Sequence, residues 1–168
     1  MKHIRGQAAL EFLTTYGWAF LVILVMIGAL AYFGVLDPSI FLPERCTFPT
    51  ELACRDSQVT KSQTNADTAT LDVYFSNNLG QGIDSLALQA KYVNDPDTAL
   101  SVACGLTPVG GSYTSGQSIM ASCTVIRPSG LTYPGVGSRV KFFVNGSYQP
   151  SNGIYMKTFS GEVYAKLK

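Results

Sequence analysis

The chain has 168 residues, a formal net charge of +1, and 14% charged against 46% hydrophobic side chains. So balanced a chain excludes an electrostatic nucleic-acid binder, which needs a clustered excess of Lys and Arg, and its aromatic content excludes a disordered one. His3 is the sole histidine, which removes His-based acid–base chemistry, a Ser–His–Asp triad and a His-ligated zinc site from the expected functions.

Lys2, His3 and Arg5 form a basic tip, and Glu11 is the next charge. From Phe12 to Leu36 there is no Asp, Glu, Lys or Arg. A helix over this run, at about 1.5 Å per residue, is long enough to cross a hydrocarbon core of about 30 Å. It is apolar on every face from Gly17 to Leu36, unlike the one-sided helix of a soluble surface. Lys2 and Arg5 before it, with Asp37, Glu44 and Arg45 after it, place the N-terminus in the cytoplasm and the body outside. Gly34 and then Asp37-Pro38 form a stop signal. Three interpretations fit: a cleaved secretory signal with Ala29-Leu30-Ala31 at its cut site, a plain membrane anchor, and a third that depends on the residues just before the run.

Those residues are Arg5-Gly6-Gln7-Ala8-Ala9-Leu10-Glu11-Phe12. The segment resembles the class III signal peptide of archaeal type IV pilin-like proteins, in which a basic tip, Gly and Gln-x-Ser-x-Glu-Phe precede a hydrophobic helix. Leu13-Thr14-Thr15-Tyr16-Gly17-Trp18-Ala19-Phe20, and the exit Leu36-Asp37-Pro38-Ser39 leading through Pro43 to Cys46, are similar to that family too. Ala9 departs from the pattern by replacing the usual Ser. The resemblance implies cleavage between Gly6 and Gln7 by a membrane-embedded prepilin peptidase. The chain would then divide into a leader at 1–6, an assembly and transmembrane helix at 7–36 and an exported domain at 37–168. The implied partners are the peptidase, the pilus assembly machinery, the membrane before assembly and, afterwards, copies of the same chain in a helical homopolymer.

By the same resemblance Glu11 pairs with the new N-terminal amine of a neighbouring subunit. At 4 Å and an effective dielectric of 20 such a pair gains about 4 kcal/mol, much of it offset by desolvation. As a mere helix-start carboxylate, Glu11 would contribute about 0.3–1 kcal/mol through the helix dipole. An N-terminal Gln7 can also cyclise to pyroglutamate, which removes the amine's charge. Glu11 is therefore expected to set register more than stability.

Beyond the helix, Cys46, Cys54, Cys104 and Cys123 are an even set in an exported domain, as two disulfides require. Four cysteines allow three connectivities, of which the local pairing Cys46–Cys54 and Cys104–Cys123 is preferred. No Cys-x-x-Cys spacing occurs, so no metal site is expected. Period-two alternation marks strands at Leu71-Val73-Phe75, Leu86-Leu88-Ala90, Ile119-Ala121-Cys123-Val125, Val140-Phe142-Val144 and Val163-Ala165-Leu167. Turn residues stand at Asn77-Asn78-Leu79-Gly80, Gly110-Gly111, Pro134-Gly135, Asn145-Gly146 and Asn152-Gly153. The expected fold is α+β: a long N-terminal hydrophobic helix followed by an all-β immunoglobulin-like sandwich of about seven strands, lacking a core Trp because Trp18 belongs to the helix.

Asn145-Gly146-Ser147 is a glycosylation sequon, and Asn-Gly is also the favoured two-residue hairpin turn. Asn94-Asp95-Pro96-Asp97 is expected to be a polar turn rather than a calcium loop. The Gly- and Ser-rich segments 105–117 and 127–138 are expected to be ordinary loops. No phosphate loop, nucleophile elbow or supported carboxylate pair is evident, so neither an enzyme nor a cofactor is expected. The leading expectation is a structural filament subunit used for adhesion. The alternative is a membrane-tethered extracellular binding module that does not polymerise.

Overall fold

The computed structural model describes residues 4–34, 43–96 and 102–168, with helix side chains described from Leu10 onward, Leu13 excepted. The chain divides into two compact units, Met1–Leu42 and Pro43–Lys168. The boundary expected at Leu36 lies outside the described residues, as do all of 35–42.

The first unit contains helix α1, Ile4–Tyr32, 29 residues long. It starts before Gly6, so the position of the expected cleavage is helical backbone. Leu, Ala and Met sustain the helix, and no proline interrupts it. Two potentially awkward hydroxyls are satisfied locally: Thr14 Oγ1 donates to the Leu10 carbonyl at 3.0 Å and Thr15 Oγ1 to the Glu11 carbonyl at 2.9 Å. The helix ends short of Leu36. The Phe33 N–H reaches Ala29 O at 3.0 Å and the Gly34 N–H reaches Ala31 O at 3.1 Å. Gly34 has φ 69°, the left-handed cap that a residue without Cβ adopts cheaply. Asp37-Pro38, expected to contribute to the stop, lies outside the described residues.

The second unit has nine strands among its described residues, rather than about seven: β1 (Arg45–Thr47), β2 (Leu52–Lys61), β3 (Thr68–Asn77), β4 (Ile83–Tyr92), β5 (Val102–Ala103), β6 (Gly105–Thr107), β7 (Ser118–Ile126), β8 (Arg139–Pro150) and β9 (Lys157–Lys166). They form a five-stranded sheet, β1-β9-β8-β4-β5, and a four-stranded sheet, β2-β3-β7-β6, with all neighbours antiparallel. The run β2-β3-β7-β6 corresponds to strands A-B-E-D of an immunoglobulin-like sandwich and β9-β8-β4 to G-F-C, with β1 added beside β9. The fold is α+β, a hydrophobic helix followed by a sandwich. Of the strands outside the expected segments, β1, β5 and β6 are short but β2 has ten residues, and β6 occupies part of the segment expected to be loop.

Period-two alternation builds the core. Leu71, Val73 and Phe75 of β3 and Ile119, Ala121, Cys123 and Val125 of β7 face Leu88 and Ala90 of β4, Val140, Phe142 and Val144 of β8, and Val163 and Ala165 of β9. In place of a core Trp, the rings of Tyr92, Tyr133 and Phe142 pack with centroids 5.1–6.2 Å apart. Tyr133 precedes β8, and its hydroxyl donates to the Val125 carbonyl at 3.4 Å, the arrangement of a tyrosine corner. Burial, and next the carboxylate of Asp95, push its phenol well above the ordinary tyrosine range.

Both disulfides join one sheet to the other. Cys46 on β1 bonds Cys54 on β2, and Cys104, where the chain crosses from β5 to β6, bonds Cys123 on β7. β1 and β2 are edge strands, as are β5 and β6. The bridges therefore close the two open sides of the sandwich.

One local expectation needs correction. Asn145-Gly146 is not a turn; it lies in the middle of β8, with Asn145 opposite both Gln89 and Ser160. The reason is packing. A Cβ on Gly146 would come 2.5 Å from Phe159 Cζ and 2.8 Å from the Ala87 carbonyl, so glycine is needed there for ring clearance. The turn expected at Asn94-Asp95 is present, with the Asp95 N–H donating to the Tyr92 carbonyl at 3.2 Å, but the Asp95 side chain does more than close it. It is buried, and its Oδ1 accepts from Arg127 Nε at 2.6 Å. Asp97 lies outside the described residues.

Candidate functional site

The span Leu10–Tyr32 is long and apolar enough to cross a membrane, and none of its described side chains is buried. By length and composition it suits a membrane anchor or a signal sequence. Trp18 is 69% exposed, and Phe20, Val25 and Met26 are comparably open. A Cβ built on Gly17 or Gly28 would meet nothing within 4 Å. These positions are notches in the helix surface, where another helix can approach closely. Glu11 is exposed on this apolar cylinder, and its own carbonyl accepts from both Thr14 and Thr15. Gln7 and Glu11 are four residues apart on continuous helix, hence on one face. The side chain of Gln7 is not among those described.

The sandwich has two different ends. The chain enters at Pro43, and the Lys166 N–H donates to Glu44 Oε1 at 3.3 Å near the end of β9. The β8–β9 hairpin tip is at the opposite end of that strand. There Ile154 is 86% exposed, Tyr155 82% and Met156 also open. The 108–112 loop belongs to the same end. Tyr113 exchanges two backbone hydrogen bonds with Ile83, and Ser151 bonds both the Gly82 carbonyl and, at 2.6 Å, Asp84 Oδ1. Val109, on that loop, is 92% exposed. Buried Asn77 fixes the neighbouring loops: its Nδ2 donates to Gln81 O at 2.9 Å and to Thr114 O at 3.2 Å, while its Oδ1 accepts the Leu79 N–H at 3.0 Å. An apolar tip thus projects from a hydrogen-bonded base. In the sequence this tip shows only as Ile154-Tyr155-Met156, an uncharged apolar trio following Asn152-Gly153.

Near the entry end, the Arg127 guanidinium stacks on Tyr92 at 4.7 Å, meets Asp95, and donates to the Thr132 carbonyl. This arrangement ties β7, the β4 end and the segment before β8 together. The sequence does not show it, because its members are far apart in the chain and share no motif. It saturates the charge it contains and offers no reactive group. Cys46, Cys54, Cys104 and Cys123 are all engaged in disulfides. Asn145 is exposed on the outer face of the five-stranded sheet.

No protein-family model matches this sequence, and no curated protein matches it significantly.

Proposed function

We propose that the chain is a structural subunit of an extracellular filament of the archaeal type IV pilus kind, assembled through α1 and used for adhesion. In this reading a prepilin peptidase cuts between Gly6 and Gln7, and the assembly machinery draws the processed subunit out of the membrane. The helices then pack together as a filament core with the sandwiches outside. The observation that carries the reading is the surface of α1. It is apolar on all sides, wholly unburied, and interrupted by a single carboxylate, Glu11, placed behind Gly6-Gln7. Such a surface suits lipid before assembly and neighbouring helices after it. Glu11 then marks register, because an unpaired carboxylate inside a helix bundle is costly and only one stagger brings it to an N-terminal amine. The apolar tip at Ile154–Met156 and Val109 is the contact surface for adhesion.

The test is substitution in the producing cell. Gly6→Val should leave uncut precursor in the membrane and no filaments in sheared material by electron microscopy. Glu11→Ala should yield processed subunit but few or no filaments. Replacing Ile154, Tyr155 and Met156 together by Ser should leave filament yield unchanged and reduce attachment. Normal filaments from Glu11→Ala would contradict the register role. Processed chains found only in membranes would favour a tethered binding module instead.

A further inference from the structure

The sandwich has two unlike outer faces. On the five-stranded sheet, the outward positions nearest the chain entry gather Arg45, Lys91, Arg139, Lys141 and Lys166. The register sets Arg45 and Lys141 on either side of Tyr164, and Lys166 beside Arg139. Among the described residues, one carboxylate stands outward on these strands in that half of the face, Glu162, and Lys141 Nζ meets it at 2.9 Å. Phe143, opposite both Lys91 and Glu162, is an exposed ring on the same face. It borders a shallow depression of about 410 Å³ that Thr47, Ser160 and Glu162 also line.

The four-stranded sheet has the opposite balance. Asp56 on β2 and Asp72 on β3 lie outward, and the one cation on that face among the described residues, Arg55, bonds Ser76 Oγ through Nε at 3.2 Å. Asp72 stands between Gln58 and Ser122 in the register, with no cation beside it, and its Oδ1 is buried without a hydrogen-bond partner among the described residues. Such an acceptor calls for a partner that its own sheet does not supply. In the next outward row Tyr74 stands between Asp56 and Met120, and its ring is exposed, as is Ile126 at the end of β7.

We propose that these faces are the two halves of one contact between copies of this chain, the four-stranded face of one subunit packing on the five-stranded face of the next. The inference rests on the filament reading above and names the surfaces through which the sandwiches meet. In that reading each Glu11 meets a neighbour's N-terminal amine in one stagger, so all helices run in one direction. Neighbouring subunits are then related by rotation and translation along the filament, with no two-fold axis between them. A contact between their sandwiches must therefore use two different patches, and a contact of that kind that does not close on itself propagates as a helix. Charge selects the pair. Either face against itself sets like charges opposite one another, whereas the mixed pair turns Asp56 and Asp72 towards Lys91 and Lys141. The Tyr74 ring is the projection that enters the depression beside Phe143, where two rings pack edge-on or offset.

The test uses filaments sheared from the producing cells and a zero-length carbodiimide, which joins a lysine amine directly to a carboxylate as an amide. Within one chain the two faces lie on opposite sides of the core, with sheets about 10 Å apart before side chains are added. Lys91 or Lys141 joined to Asp56 or Asp72 therefore comes from two subunits. Peptide mass spectrometry should find these links in filaments and not in dissociated subunits. Intact filaments without them would overturn the contact and leave the filament reading standing, as would the same links in dissociated subunits. Processed wild-type chains that never leave the membrane would overturn both. Asp56→Lys, at an exposed position where the unfolding midpoint should not move, is expected to lower filament yield about tenfold by setting like charges across the contact. Adding Lys141→Glu should restore the yield. Full yield from Asp56→Lys alone, or a loss that Lys141→Glu leaves unchanged, would overturn the pairing.

Discussion

α1 and the sandwich put their apolar residues on opposite sides of the protein–solvent boundary. The helix displays Leu10, Phe12, Trp18 and Val25 on its outside, whereas the sandwich encloses Leu71, Phe75, Phe142 and Val163 between its sheets. The sandwich largely satisfies itself: its core is covered, its sheets are linked by disulfides and Asp95 is paired with Arg127, although Asp72 Oδ1 is buried with no hydrogen-bond partner among the described residues. The helix satisfies its backbone and its two threonines but not its surface, which needs lipid or other helices. Apolar residues make a core only where the period allows them to face one another. In α1 they run all round the helix, so the same chemistry makes an interface.

That contrast can be broken from either side. The largest effect is expected at Asp95. Asp95→Ala leaves the buried Arg127 guanidinium without its carboxylate, which should destabilise the sandwich by about 3–5 kcal/mol, read as a fall in the urea midpoint with no change in membrane association. Val25→Lys should do the converse. A charge at the helix centre costs roughly 2.5–3.5 kcal/mol of insertion free energy, read in a membrane-integration assay, while the unfolding midpoint of the sandwich stays put. Replacing Cys104 and Cys123 together by Ala should cost about 3 kcal/mol for a loop of this size, measured by chemical denaturation under oxidising conditions, because the side bearing β5 and β6 is no longer bridged. The smallest effect is expected at high pH. Burial, and then its 2.6 Å hydrogen bond to Glu51 Oε2, push Tyr148 up to about 12 from 10.0. The folded state holds that proton more tightly, so the contribution is complete below pH 10 and is lost as pH rises through about 12. The loss is on the order of 2 kcal/mol and should be reduced in Tyr148→Phe when unfolding is followed between those values.

The sequence makes β3, β4, β7, β8 and β9 readable because burial alternates along them: Ile119, Ala121, Cys123 and Val125 are all inside, whereas ten-residue β2 shows no such period and escapes notice. The helix is readable because no charge interrupts Phe12 to Leu36, and Gly34, part of the expected stop, adopts a left-handed cap at its end. What escapes a sequence reading has distant causes. Asn145-Gly146 carries the chemistry of a turn, but the residue that decides its conformation is Phe159, on the next strand. Asp95 resembles a turn carboxylate until Arg127, 32 positions away, supplies its partner. β1 and β6 have three residues each, too few to show a period. Of the candidate site, the Glu11 position and the four cysteines stand out by residue type. The apolar tip does not, because exposure at Ile154–Met156 is a property of the finished hairpin.

The central claim, that α1 is retained as an assembly interface, is tested most directly by the intact mass and N-terminal sequence of the native chain in sheared extracellular material. A chain beginning at Gln7, or at its ammonia-loss form, and abundant in that fraction is the predicted result. A chain beginning at Tyr32 would contradict it, since a subunit that has lost α1 has nothing left with which to build a filament core.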